Sequence, residues 1–196
     1  GGVREEARQI ASKGMASGIS KQALLELKIA ESLIEADDFD LIAMGRPEGP
    51  GCYCYANNVL KSALNQISEH YPYVVLDNEA GLENLSRRLV QKLDLLVMVA
   101  DPSKRGLDTL ARLHELVQEM EITYDRLVLV VNRLRRDELP ERIRELQLAT
   151  GADAVLGLPD DEQLAEWGEE GKSLTTFPTD NPVVSRIDQL LTEIVA

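Results

Sequence analysis

Three apolar runs of strand length, Asp94–Asp101 (DLLVMVAD), Arg126–Asn132 (RLVLVVN) and Ala154–Pro159 (AVLGLP), constrain this chain more than any other feature. Each is apolar at consecutive rather than alternate positions. Such a strand needs cover on both faces, which is the condition of a parallel sheet held between helices. The intervening segments carry the complementary pattern: Gly106–Glu121, Leu139–Thr150, Glu162–Gly168 and Pro182–Val195 place apolar residues at helical spacing. Upstream, Asp40–Gly45 (DLIAMG) and Tyr73–Asp77 (YVVLD) read as further strands. Ser20–Ala36, Asn57–His70 and Leu85–Lys92 read as helices. The alternation predicts an α/β fold, a mostly parallel sheet with helices on both faces. A length of 196 residues, 44% of them hydrophobic, suits a single domain over residues 1–196.

In an open parallel sheet the ligand sits at the carboxyl ends of the strands, so the residues that end them are informative. Here they are Gly45, Asp77, Asp101, Asn132 and Pro159. Asp101, followed by Pro102 and Ser103, also has the form of a helix N-cap. Asp77 begins a D-x-x-A-G run that ends at Gly81. In nucleotide triphosphatases a strand-end aspartate of this kind holds Mg²⁺ directly or through a water. The glycine lets a backbone N–H approach a terminal phosphate. A strand, an aspartate and a turn glycine also recur for structural reasons alone. Asn132 presents an amide with both donor and acceptor, the chemistry that reads a purine's N6 and N7 edge; an asparagine capping the next loop has the same signature.

The two cysteines, Cys52 and Cys54, are one residue apart on the loop GRPEGPGCYCYANN. In extended backbone that spacing points both thiols to one side. A disulfide across one residue is disfavoured by its geometry. Two thiolates can chelate a soft or borderline cation such as Zn²⁺ or Ni²⁺, yet a closed tetrahedral site needs four ligands. The two histidines, His70 and His114, have no ligand spacing to the pair. A second copy of the chain across a twofold axis supplies the missing thiolates economically. Two buried cysteines acting as small hydrophobes are the other reading, which the flanking Gly49-Pro50-Gly51 weakens.

A net charge of −13 argues against nucleic acid or an anionic membrane as the main partner. No apolar run approaches the ~20 residues that span a bilayer. Two cysteines do not make a secreted disulfide framework, so a reducing, cytoplasmic location is expected.

With C-Y-C at Cys52–Cys54, VVLDNEAGLENLSRR at Val74–Arg88 and VVNRLR at Val130–Arg135, the chain resembles the CooC-type nickel-insertion accessory ATPases of carbon monoxide dehydrogenase. These belong to the wider P-loop group of MinD, ParA and the nitrogenase iron protein. The resemblance implies that Cys52 and Cys54 hold nickel or zinc between two subunits of a homodimer. It implies Asp77 as the magnesium-side carboxylate, in the catalytic position, and Gly81 at the phosphate switch. Asn132 would contact adenine, with Pro159 and Asp160 lining the base pocket. ATP or ADP with Mg²⁺ would be the cofactor, and a nickel enzyme, carbon monoxide dehydrogenase, the client.

The resemblance also implies a leading strand, a glycine-rich G-K-G-G-V-G-K-T loop and a following strand with a D-x-D-P aspartate. This chain starts instead with GGVREE, which has no lysine–threonine pair. The expectation is a domain about 50 residues short at its front, judged from ordinary domain size. Such a chain would not hydrolyse ATP as written, whereas its full-length parent would. The alternative is a positioning or partitioning ATPase of the MinD/ParA type. That alternative calls for a basic DNA-binding surface or an amphipathic membrane helix, and SRIDQLLTEIVA lacks the basic face of such an anchor.

Overall fold

The structure, a computed structural model, describes residues 32–42, 68–78 and 91–195. The chain divides into two compact units, Gly1–Val90 and Gln91–Ala196.

In the first unit, β1 (Leu33–Glu35) and β2 (Asp40–Ile42) pair antiparallel, with Leu33 opposite Ile42 and Glu35 opposite Asp40. Two aspartates, Asp37 and Asp38, make the turn, and the Ala36 N–H donates to the Phe39 carbonyl at 3.1 Å. This corrects two expectations. The helix expected over Ser20–Ala36 gives way to strand at its described end, and Asp40–Ile42 belongs to a hairpin, not to a parallel sheet. Short apolar runs carry too little periodicity to separate helix from strand. Tyr73–Asp77, expected as a strand, forms none: Tyr73 is 70% exposed and Val75 90% exposed. The Tyr71 hydroxyl donates to the Asp40 carboxylate, joining this segment to the hairpin.

The second unit follows the sequence closely. Its strands β3 (Lys92–Ala100), β4 (Thr123–Leu134) and β5 (Ala154–Pro159) form a parallel sheet in that order, with β4 central. Between and after them come α1 (Lys104–Glu119), α2 (Glu141–Thr150), α3 (Glu162–Glu169), a short 3₁₀ turn (Leu174–Thr176) and α4 (Pro182–Val195). The Lys92 end of the helix expected over Leu85–Lys92 is strand instead.

Leu127, Val128, Leu129, Val130 and Val131 are all buried, so the central strand is covered on both faces as its unbroken apolar run requires. Alternation sorts them. Val128 and Val130 pack in one cluster with Leu158 and Val183, joined by Leu164 of α3 and by Leu190 and Ile194 of α4. Leu127, Leu129 and Val131 take the opposite face. There α1 packs on β3 and on α2, burying Leu107, Leu110 and Val117 of α1 and Ile143 and Leu146 of α2. Each such side chain contributes about 1.5–3 kcal/mol on burial. The chain therefore has the α/β architecture its sequence predicts.

Candidate functional site

Parallel register brings the ends of β3, β4 and β5 to one edge. Ala100 lies opposite Val131, and Leu134 opposite Pro159. Asp101 follows β3 at this edge and Asp160 follows β5, while Asn132 and Arg133 lie in the last residues of β4.

After β3 the chain turns sharply into α1. Ser103, not Asp101, is the N-cap: its Oγ accepts the Gly106 N–H at 3.0 Å. Asp101 sits one layer further out, with Oδ1 accepting the Ser103 N–H at 2.8 Å. The side-chain and backbone hydrogen bonds from Ser103 hold the Asp101 carboxyl below the usual carboxylate range, with a smaller pull from the Arg133 charge. A helix N-terminus attracts anions, but here the chain's own carboxylate and hydroxyl fill that position. Gly106 makes the turn feasible, because a Cβ there would lie 2.5 Å from the Asp101 carbonyl oxygen and 2.7 Å from Oδ1. Further along α1, Lys104, Arg105, Asp108, Thr109 and Arg112 line an open hollow of about 510 Å³. Asp108 there is ion-paired to Arg142 of α2.

At the end of β4 the ladder slips, with an irregularity between Val131 and Leu134. Asn132 is half-buried inside this irregularity. Its Oδ1 accepts the N–H of the next residue, Arg133, at 2.9 Å. Arg133 adopts the left-handed region at φ 61°, uncommon for a non-glycine residue. Pairing with β5 then resumes, and the Asp160 N–H donates to the Leu134 carbonyl at 2.9 Å. Asn132 and the Pro159–Asp160 turn, separated by 27 residues, thus share the carboxyl edge of the sheet.

The Pro159–Asp160 turn is held from behind. Asp161 caps α3, its Oδ1 accepting the Leu164 N–H at 2.7 Å. Asn181, only 4% exposed, donates to Asp161 Oδ2 at 3.1 Å and to Gln163 Oε1 at 3.2 Å. It also caps α4 by accepting the Val183 N–H at 2.9 Å. Arg186 of α4 donates to the Gly157 carbonyl at 2.9 Å and to Asp137 at 2.6 Å, tying the loop after β4 to β5.

Of the residues singled out from sequence, Asn132, Pro159 and Asp160 lie together in the second unit. Asp77 lies in the first unit as an exposed carboxylate with no strand behind it. Cys52, Cys54 and Gly81 are outside the described residues, and among the described residues no group of histidine, cysteine and acidic side chains is placed to hold a metal. His114, half-buried on α1, bonds to the Tyr124 hydroxyl at 3.1 Å, an ordinary structural use. Sequence reasoning missed Arg133, Gly106 and Asn181. Only Asn181 left a signal, an asparagine directly before a proline that opens a helix.

No family model matches the chain. It is 35% identical over its whole length to the ATP-binding protein MJ0685 of Methanocaldococcus jannaschii, covering 77% of that protein. It is 29% identical over 79% of its length to a second ATP-binding protein of that organism, MJ0823, covering 60% of it. A shorter stretch of 75 residues, 38% of the chain and 28% of the relative, is 33% identical to the carbon monoxide dehydrogenase accessory protein CooC of Rhodospirillum rubrum. In structure the chain is similar to the cell division ATPase MinD of Pyrococcus furiosus, with a TM-score of 0.61 over 91% of this chain and 76% of that one. Their 13% identity makes this a likeness of fold. The chain has a MinD-like fold and belongs to the family of the ATP-binding protein MJ0685.

Proposed function

We propose that this chain is the body of an ATP-dependent metal-insertion accessory protein, with adenine nucleotide bound at the carboxyl edge of β3, β4 and β5. The observation that carries the reading is that Asn132 and the Pro159–Asp160 segment lie at the same carboxyl edge of the sheet. A half-buried amide at that edge suits the N6 and N7 edge of a purine. The relatives named as ATP-binding support the same assignment.

Asn132 orients the base, and Pro159 and Asp160 line its pocket. Asp77 is assigned to the magnesium side of the nucleotide and Gly81 to the terminal phosphate. Mg²⁺ supplies charge neutralisation on the phosphates when bound. Cys52 and Cys54 are assigned to the cargo metal, nickel or zinc, shared between two copies of the chain. The client would be a nickel enzyme such as carbon monoxide dehydrogenase, a reading supported by the partial likeness to CooC.

A MinD-type positioning role at membranes is the alternative reading. On α4, Val183, Leu190 and Ile194 pack against the core, while Ile187 and Leu191 are exposed. Among the described residues no helix is long and apolar enough to cross a membrane.

Two measurements test the proposal. Fluorescent ADP should bind the chain, and Asn132→Ala should weaken that binding about tenfold or more, as expected for a lost bidentate base contact. Reduced protein should take up nickel or zinc at one ion per two chains, with affinity falling as pH drops because each thiol must lose a proton. A monomer that binds no metal, unchanged by Cys52→Ser and Cys54→Ser, would remove the metal role.

A further inference from the structure

We infer that the exposed face of α1 carrying Lys104, Arg105 and Arg112 is a docking surface for an acidic segment of a partner protein. Leu107, Leu110 and Val117 turn one side of α1 into the core. Lys104, Arg105, Asp108, Thr109 and Arg112 recur at the complementary helical spacing and line the open hollow on the other side. All three cations are exposed. Lys104 and Arg112 lie about 12 Å apart along the helix axis, the reach of roughly four residues of extended peptide.

The positive charge of this face is left unpaired. The chain has 34 acidic against 21 basic residues, so a surface cation meets an acid more readily than another base. Lys92, Arg142, Lys172 and Arg186 each pair with one. Lys104, Arg105 and Arg112 form no ion pair among the described residues. Of the residues lining the hollow, Asp108 alone is acidic. Lys104 and Arg112 stand four residues to either side of it, the spacing of a helical ion pair, yet Asp108 pairs with Arg142 of α2. Its charge is cancelled from outside the helix, and both neighbours stay free. Asp101, before α1, is engaged by the Ser103 N–H and by the Arg133 charge.

The helix gains nothing from these cations. The macrodipole disfavours positive charge in the first turn and negative charge in the last. α1 has that unfavourable order: Lys104 and Arg105 begin it with no acid in the first turn, and Glu119 ends it with no base in the last. Proteins break such local rules chiefly at functional sites. The first-turn N–H groups are not themselves the site, since Ser103 and Asp101 occupy that end. The occupant follows from the charge. Three unpaired cations over two turns fit a short run of carboxylates. A net charge of −13 repels nucleic acid and an anionic bilayer, which extend far along the acidic surface. A short acidic segment meets only the local field, because charges beyond a Debye length of about 10 Å are screened.

The test uses the full 196-residue chain and fluorescein-labelled octaglutamate and octaglutamine, read by anisotropy. Octaglutamate is expected to bind and octaglutamine not, with affinity falling as salt rises from about 50 to about 300 mM. The triple variant Lys104→Gln/Arg105→Gln/Arg112→Gln should weaken octaglutamate binding about tenfold, as three surface pairs lost together do. Arg135→Gln/Arg136→Gln/Arg144→Gln removes the same charge from exposed cations outside α1 and should change it by less than about twofold. An equal loss in both triple variants, or no octaglutamate binding by the unsubstituted chain, overturns the docking face. Tighter binding to a short DNA duplex or to phosphatidylserine vesicles than to octaglutamate, lost in the α1 variant, overturns a protein partner. Self-association in sedimentation that the α1 variant loses makes the occupant a second copy and overturns a separate partner. The α1 variant should melt no lower than the control variant, because the charges it loses oppose the dipole. A markedly lower midpoint, or failure to fold, assigns the three cations to the fold and overturns the inference.

Discussion

Asn181 and Asp161 are joined by a 3.1 Å hydrogen bond that connects the first turns of α3 and α4, although 20 residues separate them. Asn181 makes three recorded bonds from a nearly sealed position: two as donor, to Asp161 and Gln163, and one as acceptor, from the Val183 N–H. Replacing it by alanine strands a buried N–H and removes an N-cap together. Asn181→Ala is expected to lower unfolding free energy by about 1–3 kcal/mol, the cost of losing the cap and leaving the Val183 N–H unsatisfied. Urea denaturation followed by circular dichroism measures it. A loss below about 0.5 kcal/mol, the level of a neutral surface change, would show that water replaces the network.

Gly106 tests the turn between β3 and α1. Alanine is favoured over glycine inside a helix by about 1 kcal/mol. Here the added Cβ would meet the Asp101 carbonyl oxygen at 2.5 Å, and overpacking of that kind costs about 1–3 kcal/mol. The clash wins, so Gly106→Ala is expected to destabilise on balance. Because the nearest atom is backbone, adding Asp101→Ala should not restore stability. Full restoration in the double variant would mean that the carboxylate, 2.7 Å away, was the real obstacle.

The second unit was legible in the sequence because its signals are strong and mutually consistent. Ala154–Pro159 and Pro182–Val195 match their observed elements end to end, and β4, at 12 residues, is the longest strand in that unit. A strand buried on both faces leaves no ambiguity about where it belongs. Tyr73–Asp77 carries the same composition yet forms no strand, because composition states what a segment can do and pairing requires a neighbour. Within the candidate site, Asn132 and Pro159–Asp160 were found as strand ends. The left-handed turn at Arg133 was not, since arginine carries no local preference for positive φ. Close approach of Asp101 to Gly106 is likewise a tertiary fact, invisible to any periodicity.

Arg186 separates two kinds of electrostatic contact on one side chain. Its partner Asp137 is 79% exposed, so that ion pair contributes little, about 0–1 kcal/mol. Its bond to the Gly157 carbonyl at 2.9 Å is part-buried and charge-assisted, worth about 1.5 kcal/mol after allowance for exposure. Asp137→Ala is therefore expected to be nearly neutral. Arg186→Leu should cost about 1–2 kcal/mol, and Arg186→Lys should recover only part, because an ammonium cannot span two acceptors as the planar guanidinium does. Thermal melts of the three variants give the ranking. Equal losses for D137A and R186L would mean that the surface pair is the dominant contact.

The acid response of the β3–α1 turn follows from Asp101. Hydrogen bonds from the Ser103 side chain and backbone, and then the Arg133 charge, favour its ionised form and lower its titration below the ordinary carboxylate value. A carboxyl whose folded pKa lies below its unfolded value of about 3.9 stabilises the fold fully above that unfolded value. The stabilisation is lost as pH falls through the folded pKa, where the native carboxylate finally takes up its proton. Carbon-detected NMR titration should therefore place the Asp101 midpoint below the ordinary aspartate value. Ser103→Ala, which removes the first cause, should raise that midpoint more than Arg133→Gly, which removes only the distant charge. Asp101→Asn should flatten the corresponding part of the stability profile on the acid side. An Asp101 midpoint that does not move in S103A would place the origin of the shift outside this turn.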